Sequence, residues 1–216
     1  MDRRALARSV MGGVAACIVL AGCAVSDPTR YYALGRSPAA APAGGTAAPR
    51  PAAAPPAPAA GSGNLTIGIG PIIVPGYLDR INIVTRTGSD QVDLSQFHRW
   101  AEPLVDGIAR ALSEEIAAGV PTERVVAFPW RGVVARSIDY QVVVNVLRFD
   151  GPSGGDVTFD ARWRILARDG KELLLRRTTL TEPTGGAGYE PMIAAMDRAL
   201  AAFGRQIVAE IRAIAR

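Results

Sequence analysis

A tract of 28 residues built almost entirely from alanine, proline and glycine divides the chain into two unequal parts. It covers residues 36–63 and holds seven prolines, but no aliphatic residue larger than alanine. Such a composition cannot bury enough apolar surface to offset the entropy lost on folding, so we predict a disordered loop or linker. A compact fold must therefore be built mainly from residues 64–216, a length that suits a single domain.

The first 22 residues have the layout of a secretory signal peptide. Arg3, Arg4 and Arg8 precede thirteen uncharged residues that are small or apolar. Thirteen residues make a helix about 20 Å long, which is too short for the roughly 30 Å hydrocarbon core of a bilayer. We therefore predict that residues 1–22 direct export and are not a membrane-spanning helix.

The segment ends in Leu20-Ala21-Gly22-Cys23. These four residues resemble the lipobox of bacterial lipoproteins, in which the cysteine receives a diacylglyceryl group and becomes the new amino terminus. The resemblance implies that Cys23 is the lipid attachment site, and two or more acyl chains would anchor the protein stably. Ala24 at the next position implies sorting to the outer membrane. The alternative is an ordinary cleavage site that happens to carry a cysteine.

We predict that residues 23–35 form an acylated amino terminus with a short aromatic segment, Tyr31-Tyr32, whose composition is typical of a strand. The docking of this segment decides the role of the tract that follows. If the strand joins the sheet, the tract is a long surface loop. If it does not, the tract is a flexible linker that spans about 30 Å as a random coil.

From residue 65 onward the spacing of apolar residues predicts an α+β domain. Alternating patterns predict strands over residues 65–74, 82–86, 91–94, 138–149, 156–168 and 171–181. Apolar residues three or four positions apart predict two principal helices, over residues 103–118 and 189–215. Short connections between the last three strands predict an antiparallel meander. We therefore expect a mainly antiparallel sheet with two principal helices packed on one face.

Composition excludes most of the common catalytic and metal sites. The two cysteines, Cys17 and Cys23, lie in the first 23 residues, and His98 is the only histidine. Cys/His metal clusters and nucleophile–histidine catalysis would need more of these residues. The formal charge is +4, of which residues 1–22 contribute +2 (three arginines and one aspartate), so nucleic acid is not an expected partner. We predict a protein that is not an enzyme and has no metal and no cofactor.

Three further features have plain structural interpretations. Residues 151–155 match the G-x-S-x-G pattern of serine hydrolases, but a strand is predicted after them where the catalytic motif needs a helix. We interpret them as a hairpin loop. Arg162, Arg164 and Arg168 share one face of a strand, which indicates a solvated face with neighbouring carboxylates. His98 is expected to be a structural or surface residue.

One block of sequence, residues 97–104 (FHRWAEPL), is distinctive. Weaker blocks occur at residues 31–34, 67–71, 77–80, 83–86, 147–151 and 161–163. In content and order these blocks resemble the PqiC family, the outer-membrane lipoprotein auxiliaries of ABC-type and MCE-type transport systems. The resemblance extends from Cys23 to the carboxyl terminus, apart from the Ala/Pro-rich tract.

The resemblance implies a non-catalytic lipoprotein on the periplasmic face of the outer membrane of a Gram-negative bacterium. There it would dock an MCE-domain protein that reaches across from the inner membrane, in a pathway that moves lipids and preserves envelope integrity. It also implies a docked strand near Tyr31, and it is compatible with a homo-oligomer. The alternative function is a carrier lipoprotein that itself holds lipid in an apolar cavity.

Arg99, Trp100 and Glu102 are the candidate residues for partner binding. Trp and Arg are enriched among the residues that dominate the energy of protein interfaces. The alternative is that Trp100 and Pro103 pack the start of the helix while Arg99 pairs with Glu102.

Overall fold

The computed structural model describes residues 28–35, 65–122 and 124–216. The predicted signal peptide, the predicted acylation site Cys23 and the Ala/Pro-rich tract over residues 36–63 lie outside these ranges.

Eight strands and three helices make up the described part of the chain. The strands are β1 (Arg30–Tyr32), β2 (Thr66–Ile73), β3 (Asn82–Arg86), β4 (Val92–Trp100), β5 (Arg124–Ala127), β6 (Tyr140–Asp150), β7 (Val157–Ala167) and β8 (Glu172–Glu182). The helices are α1 (Leu104–Gly119), α2 (Gly132–Ser137) and α3 (Tyr189–Ile214). All the predicted strands and both predicted helices are present, which confirms the α+β class. The short elements β5 and α2 were not predicted.

The strands form two sheets, with orders β5-β2-β6-β7-β8 and β1-β4-β3. The meander of β6, β7 and β8 is antiparallel, as predicted. However, β2 pairs in parallel with both β5 and β6, and β1 pairs in parallel with β4. The sheets are therefore mixed, and the prediction of a mainly antiparallel sheet needs this correction. Parallel pairing of β2 with β5 and β6 is possible because α1 lies between β2 and both of these strands in the chain and returns it across the sheet.

Helices α1 and α3 pack against each other and against the five-stranded sheet, so both lie on one face of it. The predicted apolar stripe of α3 is buried from Met192 to Ile211. Its Phe203 ring meets the indole of Trp163 edge to face, with 5.6 Å between ring centroids. Full burial of one such side chain contributes roughly 1.5–3 kcal/mol to folding. Neither these helices nor α2 combine the length and apolar character needed to cross a membrane.

Strand β2 is covered on both faces, although an alternating pattern such as its own is typical of a half-buried strand. All five residues from Thr66 to Gly70 are buried. Helix α1 contacts β2, and the residues that follow β5 lie close to the Cα of Gly68. A Cβ on Gly68 would come within 3.0 Å of Trp130 and 2.9 Å of Ile138. The two glycines of β2 therefore serve close packing and not an exposed face.

The G-x-S-x-G residues, 151–155, form the connection between β6 and β7. Gly154 has a φ of 78°, a left-handed conformation that suits a tight turn. The chain then enters a strand, so the helix that a nucleophile elbow requires does not follow. The interpretation as a hairpin loop is confirmed.

Candidate partner-binding surface

The three candidate residues lie at the junction between β4 and α1, but the structure gives each a different environment. The side chain of Trp100 belongs to the hydrophobic core and is only 4% exposed. Alternation along β4 directs Arg99 and Trp100 to opposite faces, and Trp100 takes the inner one. The alternative interpretation, in which Trp100 packs near the start of the helix, therefore matches the structure, and its indole is not available to a partner.

Glu102 forms an ion pair with Arg110 of α1, with 2.5 Å between Oε1 and Nη2. The same nitrogen of Arg110 donates a hydrogen bond to the backbone carbonyl of Leu34 at 2.6 Å. The hydrogen bond to Glu102 is the main cause that raises the pKa of Arg110 above its ordinary value. Glu102 thus pairs with Arg110 and not with Arg99 as the alternative supposed, and it helps to fix the amino-terminal segment.

That segment is an integral part of the domain. Tyr31 and Tyr32 of β1 pair in register with Arg99 and Trp100 of β4. Beyond the strand, the side chain of Leu34 is 2% exposed. The backbone nitrogen of Gly35 donates to Oδ1 of Asp197 at 2.8 Å. The docking of the strand, on which the role of the Ala/Pro-rich tract depends, is therefore observed.

The single histidine has a structural environment. Nδ1 of His98 lies 2.8 Å from the hydroxyl oxygen of Tyr32, at hydrogen-bond distance. The imidazole also stacks on the ring of Tyr189, with 3.8 Å between centroids. His98 thereby connects β1, β4 and the first residue of α3, in agreement with the predicted structural role.

Two residues close to Arg99 in the three-stranded sheet have exposed aromatic side chains. Tyr31, which pairs in register with Arg99, is 60% exposed, and Phe97, two residues before Arg99 on β4, is 38% exposed. Nε of Arg99 is buried and makes no hydrogen bond within the described chain. Buried donors are nearly always paired, so this nitrogen is an unused donor in the subunit alone. We call Tyr31, Phe97 and Arg99 the Arg99 surface.

The Arg99 surface has the chemistry of an interface and not of a catalytic site. A guanidinium flanked by aromatic rings can donate charge-assisted hydrogen bonds to a carboxylate of a partner, and the rings supply apolar contact area. Of Tyr31, Phe97 and Arg99, only Arg99 was predicted from the sequence to bind a partner. The position of Phe97, two residues before Arg99 in the same distinctive block of sequence, was the signal that could have included it. Tyr31 could not be placed there before its pairing with β4 was known.

A cluster of charged side chains surrounds Asp150, whose own side chain is fully buried. It accepts hydrogen bonds from the side chains of Arg86, Arg148 and Tyr77. Burial by itself raises the pKa of Asp150, but the hydrogen bonds from Arg86, Tyr77 and Arg148 outweigh it, so the pKa lies below its ordinary value. Burial and the bond to Asp150 raise the pKa of Tyr77 to about 12. Every polar group here is paired, which indicates a structural role.

Two concave surfaces in the described ranges are open to solvent, with volumes of about 440 and 400 Å³. The larger is lined mainly by polar side chains, among them Arg176, Arg177, Thr178, Gln206 and Glu210. Acyl chains are bound in cavities lined predominantly by apolar side chains. Within the described ranges, no group of three or more His, Cys, Asp or Glu side chains could hold a metal ion.

Comparison with known proteins places the chain in a family. The family model described as "ABC-type transport auxiliary lipoprotein component" matches residues 48–208, which is more than half of the chain. The chain belongs to this family. The match confirms the resemblance to PqiC-type lipoproteins, and it gives this ABC-type transport auxiliary lipoprotein a role in a transport system.

Two solved structures show the same fold. An uncharacterized protein is 23% identical to this auxiliary lipoprotein, with a TM-score of 0.60 over 68% of this chain and 92% of the other. Protein XCC0632 from Xanthomonas campestris, of the DUF330 family, is 17% identical, with a TM-score of 0.56 over 67% of this chain and 81% of the other. At these identities the likeness concerns the fold alone. No curated protein sequence matches the chain significantly.

Proposed function

We propose that the chain is a non-enzymatic outer-membrane lipoprotein of an MCE-type, ABC-linked lipid transport system. In this role it docks a periplasm-spanning MCE-domain protein and so supports envelope integrity. The observation that carries the proposal is the match to the transport auxiliary lipoprotein family over residues 48–208. A lipid anchor, a rigid domain and a docking surface are the parts that such a subunit needs.

Cys23 is the proposed point of attachment, on the periplasmic face of the outer membrane. Only six residues separate Cys23 from the first residue of β1, Arg30. Seven steps along a fully extended chain span at most about 25 Å, so the domain would sit close to the bilayer. Because β1 is docked, the tract over residues 36–63 joins two strands of one domain. We therefore favour a surface loop for this tract over a tether.

The proposed docking surface is the Arg99 surface. The half-buried Arg99 and the exposed rings beside it favour a partner that presents a carboxylate next to apolar side chains. Glu102 contributes by its ion pair with Arg110, and Trp100 contributes from the core, where it supports β4. The proposed roles are thus one contact residue, Arg99, and two supporting residues, Trp100 and Glu102.

A periplasmic lipid-binding carrier is the alternative function. The polar lining of the larger groove disfavours it, because an acyl chain in that groove would leave arginine and glutamate side chains without water. Mass spectrometry of the purified protein distinguishes the two functions. Phospholipid that copurifies in stoichiometric amount, apart from the acyl chains on Cys23, would favour the carrier.

The anchor is tested by Cys23→Ala, with Cys17→Ala as the matched control because Cys17 lies within the predicted signal peptide. We expect Cys23→Ala to lose the acylated amino-terminal peptide, to leave the membrane fraction and to make cells sensitive to detergent. Cys17→Ala should do none of these. Membrane fractionation unchanged by Cys23→Ala would contradict the proposal.

The partner is tested by in-cell photocrosslinking. A photoreactive residue in place of Phe97 is expected to capture the MCE-domain protein of the same system. The control position is Leu175 on β8, which is 64% exposed and lies in the other sheet. Capture of the same protein from both positions, or of no MCE-domain protein from Phe97, would rule out docking through the Arg99 surface.

A further inference from the structure

The residues that follow β5 form an exposed apolar and basic segment. We call residues 128–136 the α2 segment. Phe128 is 51% exposed, Val133 is 77% exposed and Val134 is 45% exposed. Helix α2 has no buried residue at all. Large apolar side chains so strongly exposed in a single short segment indicate a surface that contacts something other than water.

The α2 segment is held at both ends. At its first residue, the backbone nitrogen of Phe128 donates to the carbonyl of Ile69 at 2.8 Å, and the Phe128 ring meets Trp130 edge to face at 5.3 Å. Trp130 and Ile138 both lie against the Cα of Gly68 in β2. The exposed valines therefore sit between two fixed points on the sheet. Their exposure is a property of the folded domain and does not arise from an undocked strand.

The charge of the segment has one sign. Arg131 and Arg136 are exposed, and no aspartate or glutamate occurs between Arg124 and Ile138. The next carboxylate, Asp139, is engaged by Arg168. The segment thus combines aromatic and branched aliphatic side chains with unopposed arginines. This composition suits the headgroup region of a membrane, where apolar side chains enter the acyl boundary and arginines meet lipid phosphates.

We propose that the α2 segment is a membrane-contact site that rests on an anionic lipid surface. This inference rests on the proposed anchoring of the chain through Cys23. An anchor keeps the domain at high effective concentration beside the bilayer, so a weak interfacial affinity is enough to orient it. Contact through the α2 segment would fix which side of the domain faces the membrane, and so which side faces a partner.

A fluorescent label on Val133 tests the proposal in the full-length, acylated protein. The mature chain would have no free thiol, because Cys17 is in the predicted signal peptide and Cys23 carries lipid. Val133→Cys therefore accepts a single environment-sensitive dye. Leu175→Cys on β8, at 64% exposure, is the matched control. The labelled proteins are reconstituted into vesicles of phosphatidylcholine, with and without added phosphatidylglycerol.

We expect the dye at position 133 to shift to the blue and to be quenched by brominated acyl chains when phosphatidylglycerol is present. The dye at position 175 should keep the emission of an aqueous environment. Arg131→Gln and Arg136→Gln should each lower the ratio of inserted to free label roughly fivefold, as expected for about 1 kcal/mol per arginine near an anionic surface. Arg162→Gln, which alters an exposed arginine on β7, should leave the ratio unchanged.

Three outcomes would overturn the proposal. These are an aqueous signal at position 133 in both kinds of vesicle, an equal response at position 175, and a shift at position 133 that requires added MCE-domain protein. The last outcome would make the α2 segment a protein-docking surface. The mass of the amino-terminal peptide reports acylation independently, so failure of the anchor and failure of the membrane contact are distinguishable.

Discussion

The carboxylate of Asp150 accepts two hydrogen bonds from the guanidinium of Arg86, from Nε at 2.8 Å and from Nη2 at 3.0 Å. Arg86 is the last residue of β3 in the three-stranded sheet, and Asp150 is the last residue of β6 in the five-stranded sheet. This bidentate pair therefore joins the two sheets. Arg148 and Tyr77 donate to the same carboxylate, at 2.9 and 2.8 Å, and complete its hydrogen bonding.

Asp150→Asn should destabilise the domain, because it removes the negative charge that Arg86 and Arg148 share. Loss of one partner of a buried ion pair costs about 3–5 kcal/mol, and the lower end applies here because both guanidinium groups are partly exposed. The free energy of unfolding in urea measures the loss. Asp90→Asn, in an exposed loop, is the control and should change stability by less than about 0.5 kcal/mol. Equal effects of the two substitutions would refute the structural role of Asp150.

Acid should weaken the fold through Asp150 and Asp160. The pKa of Asp160 is lowered chiefly by its hydrogen bond from Arg177, and the pKa of Asp150 is lowered as well. A carboxyl whose folded-state pKa is depressed stabilises the fold above its unfolded pKa of about 4, and this contribution is lost as pH falls through the folded-state pKa. The free energy of unfolding should therefore decline below about pH 4. The Asp150→Asn variant should show a shallower decline, and an identical slope would contradict the assignment.

Tyr77 should titrate at unusually high pH. Burial and the hydrogen bond to Asp150 raise its pKa to about 12, so the folded state holds the phenolic proton longer than the unfolded state. The contribution of Tyr77 is complete below the ordinary tyrosine pKa of about 10 and is lost as pH rises through the folded-state value. An ultraviolet absorbance titration of the protein, minus that of Tyr77→Phe, should isolate this step. A difference step near pH 10 would show that the bond to Asp150 is absent in solution.

A side chain at position 204 should destabilise the domain, because Gly204 lies where α3 meets α1. A Cβ at this position would lie 2.7 Å from the Cβ of Glu115. Gly204→Ala should therefore cost about 1–3 kcal/mol, although alanine is the better helix former. Gly76→Ala is the control, since a Cβ there would meet no atom within 4 Å. Thermal unfolding monitored by circular dichroism compares the two variants, and a stabilised Gly204→Ala would show that the helices are less closely packed.

Substitution of Trp100 should lower stability, whereas substitution of Arg99 should lower partner binding. Trp100→Ala should cost about 3–5 kcal/mol, because it removes a large buried ring. Arg99→Ala should change the free energy of unfolding little, but it should abolish crosslinking of the MCE-domain protein through Phe97. Urea unfolding and crosslinking are measured on both variants. If Arg99→Ala keeps full crosslinking, the Arg99 surface is not the docking site.

The elements of this fold that could be predicted are those whose signals are local. The alternation of apolar and polar residues predicts the strands β6, β7 and β8, and their short connections predict antiparallel pairing, which is observed. The apolar stripe of α3 likewise depends only on helical spacing, and it is buried as expected. The short elements β5 and α2 were missed because four and six residues are too few to establish a period.

What the sequence by itself determined about this protein is thus its class, its principal elements and the residues Arg99, Trp100 and Glu102 as a group of interest. Only the tertiary structure decided that Trp100 lies inside, that Glu102 pairs with Arg110 and that Tyr31 stands beside Arg99. Parallel pairing joins strands that are distant in the chain, and no local pattern encodes which strands will meet. The role of each side chain follows from those distant neighbours, and so it emerged only with the fold.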